Sequence, residues 1–93
     1  MKKIDKSTLN RLKSALKKEN MRLTDQRLSI WKQINQSKKH LDVEDIFFQL
    51  RKKGSNVSRA TIYRTLDVLV KNGLIRKMDL GEGHSLYEPK IKD

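Results

Sequence analysis

Hydroxyl, guanidinium and phenol groups are concentrated between residues 58 and 66, at spacings that suit contact with a nucleic acid. The side chains that could make such contacts are those of Ser58, Arg59, Thr61, Tyr63 and Arg64. Arginine can bind guanine or phosphate through two parallel hydrogen bonds, and a tyrosine ring can contact a thymine methyl group. A solvated surface helix would carry similar residues, so this stretch alone leaves both interpretations open.

A helix must display these side chains, and the sequence marks both of its ends. Ser58 can accept a hydrogen bond from a free backbone amide of the first turn, and Gly73 suits the left-handed residue that follows a helix. These signals predict a helix over residues 59–72. Its buried face is predicted to contain Ile62, Leu66, Leu69 and Val70. Its outward face is predicted to contain Ala60, Arg64, Asp67 and Lys71, with Tyr63 at the border.

The overall charge favours an anionic partner. The 93 residues include 22 Lys and Arg against 11 Asp and Glu, a formal net charge of +11 at pH 7. Eight of the basic residues and two of the acidic ones lie within positions 1–22, so residues 1–20 are predicted to form a basic N-terminal arm and helix. A strongly basic chain attracts polyanions, of which double-stranded DNA is the expected partner here.

Composition disfavours several other classes of function. The absence of cysteine excludes disulfides, thiolate metal sites and a catalytic thiol. No apolar run approaches the ~20 residues of a membrane span, and the N-terminal residues lack a signal-peptide pattern. No recognisable set of acid, base and nucleophile is present. We therefore expect a cytoplasmic protein that is not an enzyme and has no membrane partner.

Three further helices are predicted before residue 58. Ser7 is placed to cap a first helix that ends near Lys18, and Thr24 opens a second helix. Asp42 is placed to cap a third helix that ends at Gly54. The core side chains of the second and third helices are predicted to be Leu28, Ile30, Trp31, Ile34, Val43, Ile46, Phe47 and Leu50. Because only residues 55–57 separate the third helix from the fourth, the two are expected to form a helix-turn-helix.

The spacing of apolar residues changes after Gly73 from a helical period of 3.6 residues to a strand period of 2, which predicts a β-hairpin. Residues 74–80 and 84–88 would be its strands, the glycine-rich residues 81–83 its tip, and Pro89 would block continuation of the second strand. A helix-turn-helix followed by a hairpin is a winged helix. The predicted class is therefore α+β, mainly α, with a winged-helix domain over residues 21–88, an extra N-terminal helix and a polar end at 89–93.

Four short motifs follow one another in a definite order along the chain. They are Arg22-Leu23-Thr24-Asp25-Gln26-Arg27, His40 followed by Val43-Glu44-Asp45-Ile46, Ala60-Thr61-Ile62-Tyr63-Arg64-Thr65-Leu66, and Asn72-Gly73-Leu74-Ile75. Over about residues 21–88 the sequence resembles the ferric uptake regulator family. The resemblance implies the DNA-binding domain of a metal-responsive transcription regulator, usually a repressor, that binds palindromic, AT-rich promoter DNA as a homodimer.

The resemblance also implies roles for individual side chains. Tyr63 would contact a base, Arg64 and Thr61 would bind bases or phosphates in the major groove, and Arg22 would enter the minor groove. A phosphate contact by Arg59, beside the Ser58 cap, is inferred only from its charge and position. Structural alternatives stay open, because Thr61 could satisfy backbone groups in the first helical turn and Arg27 could pair within the fold.

His40 and Glu88 align with the two metal ligands that the family's DNA-binding domain provides. Imidazole and carboxylate ligands suit divalent iron, zinc or manganese. Taken without the resemblance, His40 is an ordinary loop histidine, Glu88 is a solvated strand end, and His84 faces solvent or backbone. The family's dimerisation domain and its further ligands are not among these 93 residues. We therefore expect weak metal binding or none in this chain, and a monomer that binds a half-site weakly.

A winged-helix module that binds another protein is the main alternative function. Leu86 and Tyr87 in the wing would then form the contact surface. Such a module would not need a net charge of +11 or a cationic recognition helix, and its binding would survive the loss of Tyr63 and Arg64. Charge therefore favours DNA as the partner.

Overall fold

The computed structural model describes residues 6–37 and 39–90, in which four helices precede a two-stranded antiparallel hairpin. The helices are α1 (Lys6–Lys18), α2 (Asp25–Gln36), α3 (Val43–Lys52) and α4 (Arg59–Lys71). The strands are β1 (Ile75–Gly81) and β2 (His84–Pro89). This order confirms the predicted winged helix with an extra N-terminal helix. The proposed arm at residues 1–5 and the last three residues of the polar end lie outside the described residues.

Local hydrogen bonds begin α2 and α3 as predicted. Thr24 caps α2 by accepting from the amide of Arg27 at 3.2 Å. Asp42 caps α3, where it exchanges side-chain to backbone hydrogen bonds with Asp45 in a capping box. The predicted cap of α1 is wrong, because the helix already includes Lys6 and Ser7 therefore lies within its first turn.

One apolar core joins all four helices and the wing. Trp31 lies inside it, and its indole Nε1 donates to the carbonyl of Thr8 at 3.3 Å, which links α2 to α1. The buried side chains are Leu12, Ala15, Leu16, Ile30, Trp31, Ile34, Leu41, Val43, Ile46, Leu50, Val57, Ile62, Leu66, Val68, Leu69, Leu74, Ile75 and Tyr87, with Thr65 as a buried polar residue.

Most of the predicted core residues are confirmed, with a few differences at the edges of helix faces. Leu28, Phe47 and Val70 are only partly buried against the core. Val68 and Thr65 are buried, although the helical spacing of apolar residues did not predict them as part of the buried face. Thr65 can be buried because its hydroxyl donates to the carbonyl of Thr61 at 2.8 Å, which satisfies the polar group inside the helix.

Helix α4 ends and leads into the wing as predicted. Asn72 is the C-cap of α4, and Gly73 has a φ of 75°, the left-handed conformation that glycine adopts without a Cβ clash. At the wing tip Glu82 and Gly83 both have positive φ, 54° and 73°, as a two-residue hairpin loop that follows the strand twist requires.

The second strand ends at Pro89, one residue later than predicted. This proline is the last residue of β2 and lies opposite Ile75 in the ladder. Proline is tolerated at the end of a strand, where its missing N–H leaves no hydrogen bond of the sheet unmade. On its other side β2 contacts the segment before α3, where Leu41 and Tyr87 exchange backbone hydrogen bonds of 2.9 and 2.7 Å.

No helix in the described parts of the chain is both long and apolar enough to cross a lipid bilayer.

Loss of the cap of α2 should destabilise the fold measurably. We expect Thr24→Ala to lower the free energy of unfolding by about 1 kcal/mol, because the amide of Arg27 loses its acceptor. Urea unfolding followed by Trp31 fluorescence measures this loss. Thr24→Ser keeps the hydroxyl and should unfold near the wild-type midpoint. Equal midpoints for the alanine variant and wild type would contradict the role of this cap.

Candidate nucleic-acid interface

The outward face of α4 displays Tyr63 and Arg64 to solvent. Tyr63 is 51% exposed, and Arg64 is also exposed. The opposite face is anchored by Ile62, Leu66 and Leu69, which are fully buried. A helix held along one side presents its other side in a fixed orientation, so the phenol and the guanidinium project from a rigid element. Ala60, Asp67 and Lys71 share the exposed side, as predicted.

The first turn of α4 is stabilised by Ser58 and Thr61. The hydroxyl of Ser58 accepts from the amide of Thr61 at 3.1 Å, which confirms the predicted cap. The two hydroxyl groups also lie 3.1 Å apart in a hydrogen bond. The Thr61 hydroxyl thus contacts the Ser58 hydroxyl, and it is Ser58 that satisfies a backbone amide of the first turn. Any DNA contact by Ser58 or Thr61 would add to that local role and stays a prediction.

Arg59 is held by α3 rather than extended into solvent. Its Nε and Nη2 donate to the two carboxylate oxygens of Glu44 at 2.7 and 2.9 Å. Its guanidinium carbon lies 4.0 Å from the centre of the Phe47 ring, and that of Arg51 lies 4.8 Å from the same centre. The hydrogen bond from Arg59 lowers the pKa of Glu44 below its ordinary value, and the same bond raises the pKa of Arg59.

Arg22 is exposed in the loop between α1 and α2, and Arg27 fixes that loop. The Nη1 of Arg27 donates to the carbonyl of Arg22 at 2.6 Å. The side chain of Arg22 makes no hydrogen bond or ion pair that would hold it against the described part of the chain. Arg27 thus pairs within the fold, as its structural alternative proposed, and leaves the neighbouring guanidinium free to contact a ligand.

A cleft separates α4 from the wing. Its walls include Tyr63 and Asp67 from α4, Asp79 from β1, and Tyr87 from β2. Tyr87 is buried, and this desolvation raises the pKa of its phenol, with smaller contributions from the charges of Asp67, Tyr63 and Asp79. A buried Tyr87 cannot form the exposed wing contact that the protein-binding alternative assigned to it, so that part of the alternative is wrong.

His40 and Glu88 lie together although they are far apart in the sequence. His40 Nε2 is 2.8 Å from Glu88 Oε1, and both side chains remain accessible. The donor chemistry fits a divalent metal, but a protein site usually needs about four ligands. Among the described residues no group of three or more His, Cys, Asp or Glu side chains could hold a metal ion. The pair therefore fits part of a metal site, and its ligand role stays a prediction.

His84 makes a contact that the sequence did not indicate. Its Nε2 lies 3.4 Å from the carboxylate of Asp42, the residue that caps α3. The histidine was expected to face solvent or backbone, and the contact arises because the wing folds back against the start of α3. Together with the Leu41 and Tyr87 backbone pair and the His40 and Glu88 contact, this joins β2 to the segment before α3 at three points.

Known proteins similar to this chain are bacterial regulators. The sequence model of the Ferric uptake regulator family matches residues 18–93. The chain is 39% identical over 79 residues to the ferric uptake regulation protein of Synechococcus elongatus, an alignment that covers 83% of this chain and 54% of that protein. It is 33% identical over 73 residues to the peroxide operon regulator of Bacillus subtilis, covering 78% of this chain and 50% of that protein.

Solved structures give the same grouping. The ferric uptake regulator of Helicobacter pylori superposes with a TM-score of 0.83 and 29% identity, covering all of this chain and 63% of that one. A manganese uptake regulator superposes with a TM-score of 0.75 and 30% identity, covering 88% and 60%. The chain spans about half the length of the sequence relatives described above.

The raised pKa of Tyr87 predicts a loss of stability in alkali. Well below pH 10 the phenol is neutral in both states, so its burial carries no ionisation penalty. Above that pH the unfolded chain releases the proton more readily than the folded chain, and the free energy of unfolding falls. We expect Tyr87→Phe to show a smaller fall than wild type between about pH 9 and about pH 11 in urea unfolding. Parallel curves for the two proteins would contradict the buried phenol.

Proposed function

The chain belongs to the ferric uptake regulator family, and we propose that it is the DNA-binding domain of a metal-responsive bacterial transcription repressor. The observation that carries this proposal is the display of Tyr63 and Arg64 on the capped, anchored helix α4 beside a wing. A net charge of +11 supports a polyanionic partner. The proposed ligand is palindromic, AT-rich promoter DNA in the bacterial cytoplasm, and no catalytic activity is proposed.

In this proposal α4 enters the major groove. Tyr63 and Arg64 contact base edges, since a phenol ring suits thymine methyl groups and a guanidinium suits guanine. Ser58 and Thr61, at the positive end of the helix dipole, bind phosphate while keeping their capping bonds. Arg22 reaches the adjacent minor groove from its exposed loop, where an AT-rich sequence is narrow and strongly negative.

The wing contributes contacts to the phosphate backbone. Arg76 and Lys77 of β1 are exposed, and Lys77 lines the cleft that borders α4. Cations at this position would attract any duplex regardless of its sequence, so they would add affinity without specificity. Specificity is therefore assigned to α4 and to the Arg22 loop.

One winged helix reads one half of a palindrome. A dimer gains because its second half-site contact becomes intramolecular, with an effective concentration set by the linkage between subunits. We propose a homodimer for the intact protein and a weakly binding monomer for the 93-residue chain. Much of the monomer's affinity would come from phosphate contacts and would decrease steeply with salt.

The same family membership supports a partial metal site at His40 and Glu88. We propose that the intact protein completes it with ligands from beyond this chain and binds iron, zinc or manganese there. A bound divalent metal would neutralise the carboxylate and join the end of β2 to the start of α3. The donors present in this chain are too few for tight binding.

Removal of the recognition side chains should abolish sequence preference. We expect wild type to bind a fluorescent AT-rich palindrome more tightly than a scrambled duplex of equal length in anisotropy measurements across a salt series. Tyr63→Ala together with Arg64→Ala should lose that preference, because each good base contact contributes about 1–3 kcal/mol of discrimination. Lys32→Ala serves as the control, since it removes one cation from an exposed position on α2 outside the α4 and wing cleft.

Other outcomes would reduce or replace the proposal. Equal, salt-sensitive binding of both duplexes by all variants would leave only general attraction to polyanions. A loss of preference in Lys32→Ala as large as in the double variant would assign the effect to net charge. No binding to either duplex at low salt would favour the protein-binding alternative.

Metal should stabilise this chain little. A dissociation constant of about 1 mM at about 0.1 mM free zinc gives less than about 0.1 kcal/mol of stabilisation. We therefore expect the same thermal midpoint in EDTA and in zinc for wild type and for His40→Ala. A midpoint that rises by several degrees in zinc for wild type, but not for His40→Ala, would show that two ligands suffice in this chain.

A further inference from the structure

We propose that Glu44 limits the affinity of the protein for DNA by competing with DNA phosphate for the guanidinium of Arg59. The inference rests on the proposed DNA-binding function and names a residue that limits it. In the free protein Glu44 holds Arg59 through two hydrogen bonds of 2.7 and 2.9 Å. Arg59 becomes a phosphate contact only when DNA takes the place of the carboxylate.

The geometry of the pair makes the carboxylate a substitute for phosphate. Arg59 uses Nε and Nη2, one edge of its planar donor set, to bind both oxygens of Glu44. Carboxylate and phosphate bind arginine in the same bidentate manner. The two anions cannot share that edge, and a phosphate on another edge would lie close to a like charge. Binding of phosphate therefore opposes the bond to Glu44.

The exchange is energetically accessible because the pair is in contact with water. The side chains of Arg59 and Glu44 are 53% and 62% exposed. Exposed ion pairs contribute little to stability, since solvent screens their attraction. Replacement of one anion by another at this position therefore does not disrupt the fold.

Phe47 keeps the guanidinium in place whichever anion binds it. Its ring packs against the core and lies 4.0 Å from the carbon of the Arg59 guanidinium. Arg51 contacts the same ring at 4.8 Å, so the aromatic surface carries two cations. Stacking of this kind orients an arginine without using its hydrogen-bond donors. Arg59 is thus positioned for an anion before DNA arrives.

The pair also lies where a phosphate is expected to approach. Arg59 is the first residue of α4, immediately after the Ser58 cap, where the helix dipole favours an anion. Glu44 lines the cleft that contains Tyr63. A duplex that brings its bases to Tyr63 must therefore bring negative charge close to Glu44. The phosphate must then compete with Glu44 for Arg59, and this competition weakens attachment to every duplex, including those without the correct bases.

A double-mutant cycle tests this competition. Wild type, Glu44→Gln, Arg59→Gln and the double variant are titrated with the palindromic and the scrambled duplex across a salt series. Glutamine keeps the length and an acceptor oxygen of glutamate but removes its charge. We expect Glu44→Gln to tighten binding of the scrambled duplex by up to about eight-fold at about 0.1 M salt, and to steepen the salt slope by up to about 0.9. In the Arg59→Gln background the same substitution should change affinity by less than about two-fold.

Two controls separate competition from general charge and from misfolding. Glu82→Gln removes one negative charge from the wing tip, where Glu82 forms no ion pair with another described residue, and its effect should not depend on Arg59. Glu44→Asp keeps a carboxylate that still competes for Arg59, so no new phosphate contact is gained. Its affinity for DNA should therefore stay within about two-fold of wild type. Circular dichroism melts of all variants identify any that are partly unfolded, and Glu44→Asp then supplies the folded comparison.

The outcomes distinguish this inference from the function on which it rests. An equal effect of Glu44→Gln with and without Arg59 would overturn the competition, because the change would act through net charge alone. An unchanged affinity and salt slope would overturn it as well, because Arg59 would then make no phosphate contact. Failure of wild type and every variant to bind either duplex at low salt would overturn the proposed function itself.

Discussion

Burial of one face of α4 is the constraint on which the rest of the structure depends. Ile62, Leu66 and Leu69 are fully buried, and together such side chains contribute roughly 5–9 kcal/mol relative to exposure in water. A shift of the helix by one residue would rotate it by about 100° and expose them. The same rotation would turn Tyr63 towards the core. The orientation of the exposed phenol and of Arg64 is therefore set by apolar contacts on the opposite side of the helix.

The wing depends on a second attachment. An isolated two-stranded hairpin is only marginally stable in water, and here β2 is also paired with the segment before α3 through Leu41 and Tyr87. The histidine–carboxylate contacts of His40 with Glu88 and of His84 with Asp42 flank this backbone pair. The position of the wing and the start of α3 are thus coupled. Substitution of His40 or Glu88 would remove one of the contacts that join the wing to the segment before α3.

Local patterns predicted much of the fold, while contacts between distant residues were harder to foresee. The caps at Thr24 and Ser58 could be predicted because donor and acceptor are three residues apart. The bond between Glu44 and Arg59 joins residues 15 apart on crossing helices, and no local rule gives a crossing angle. The proximity of His40 and Glu88 was expected only from the family resemblance. Burial of Thr65 was missed because a hydroxyl counts as polar until its partner within the helix is known.

The distribution of charge matters more than its total. A net charge of +11 attracts any polyanion, so discrimination requires groups that oppose incorrect contacts. Four carboxylates line the cleft between α4 and the wing, those of Asp42, Glu44, Asp67 and Asp79. Under the proposed function they would repel a phosphate backbone that entered the cleft. Base contacts by Tyr63 would then be needed to offset the repulsion, which makes tight binding conditional on sequence.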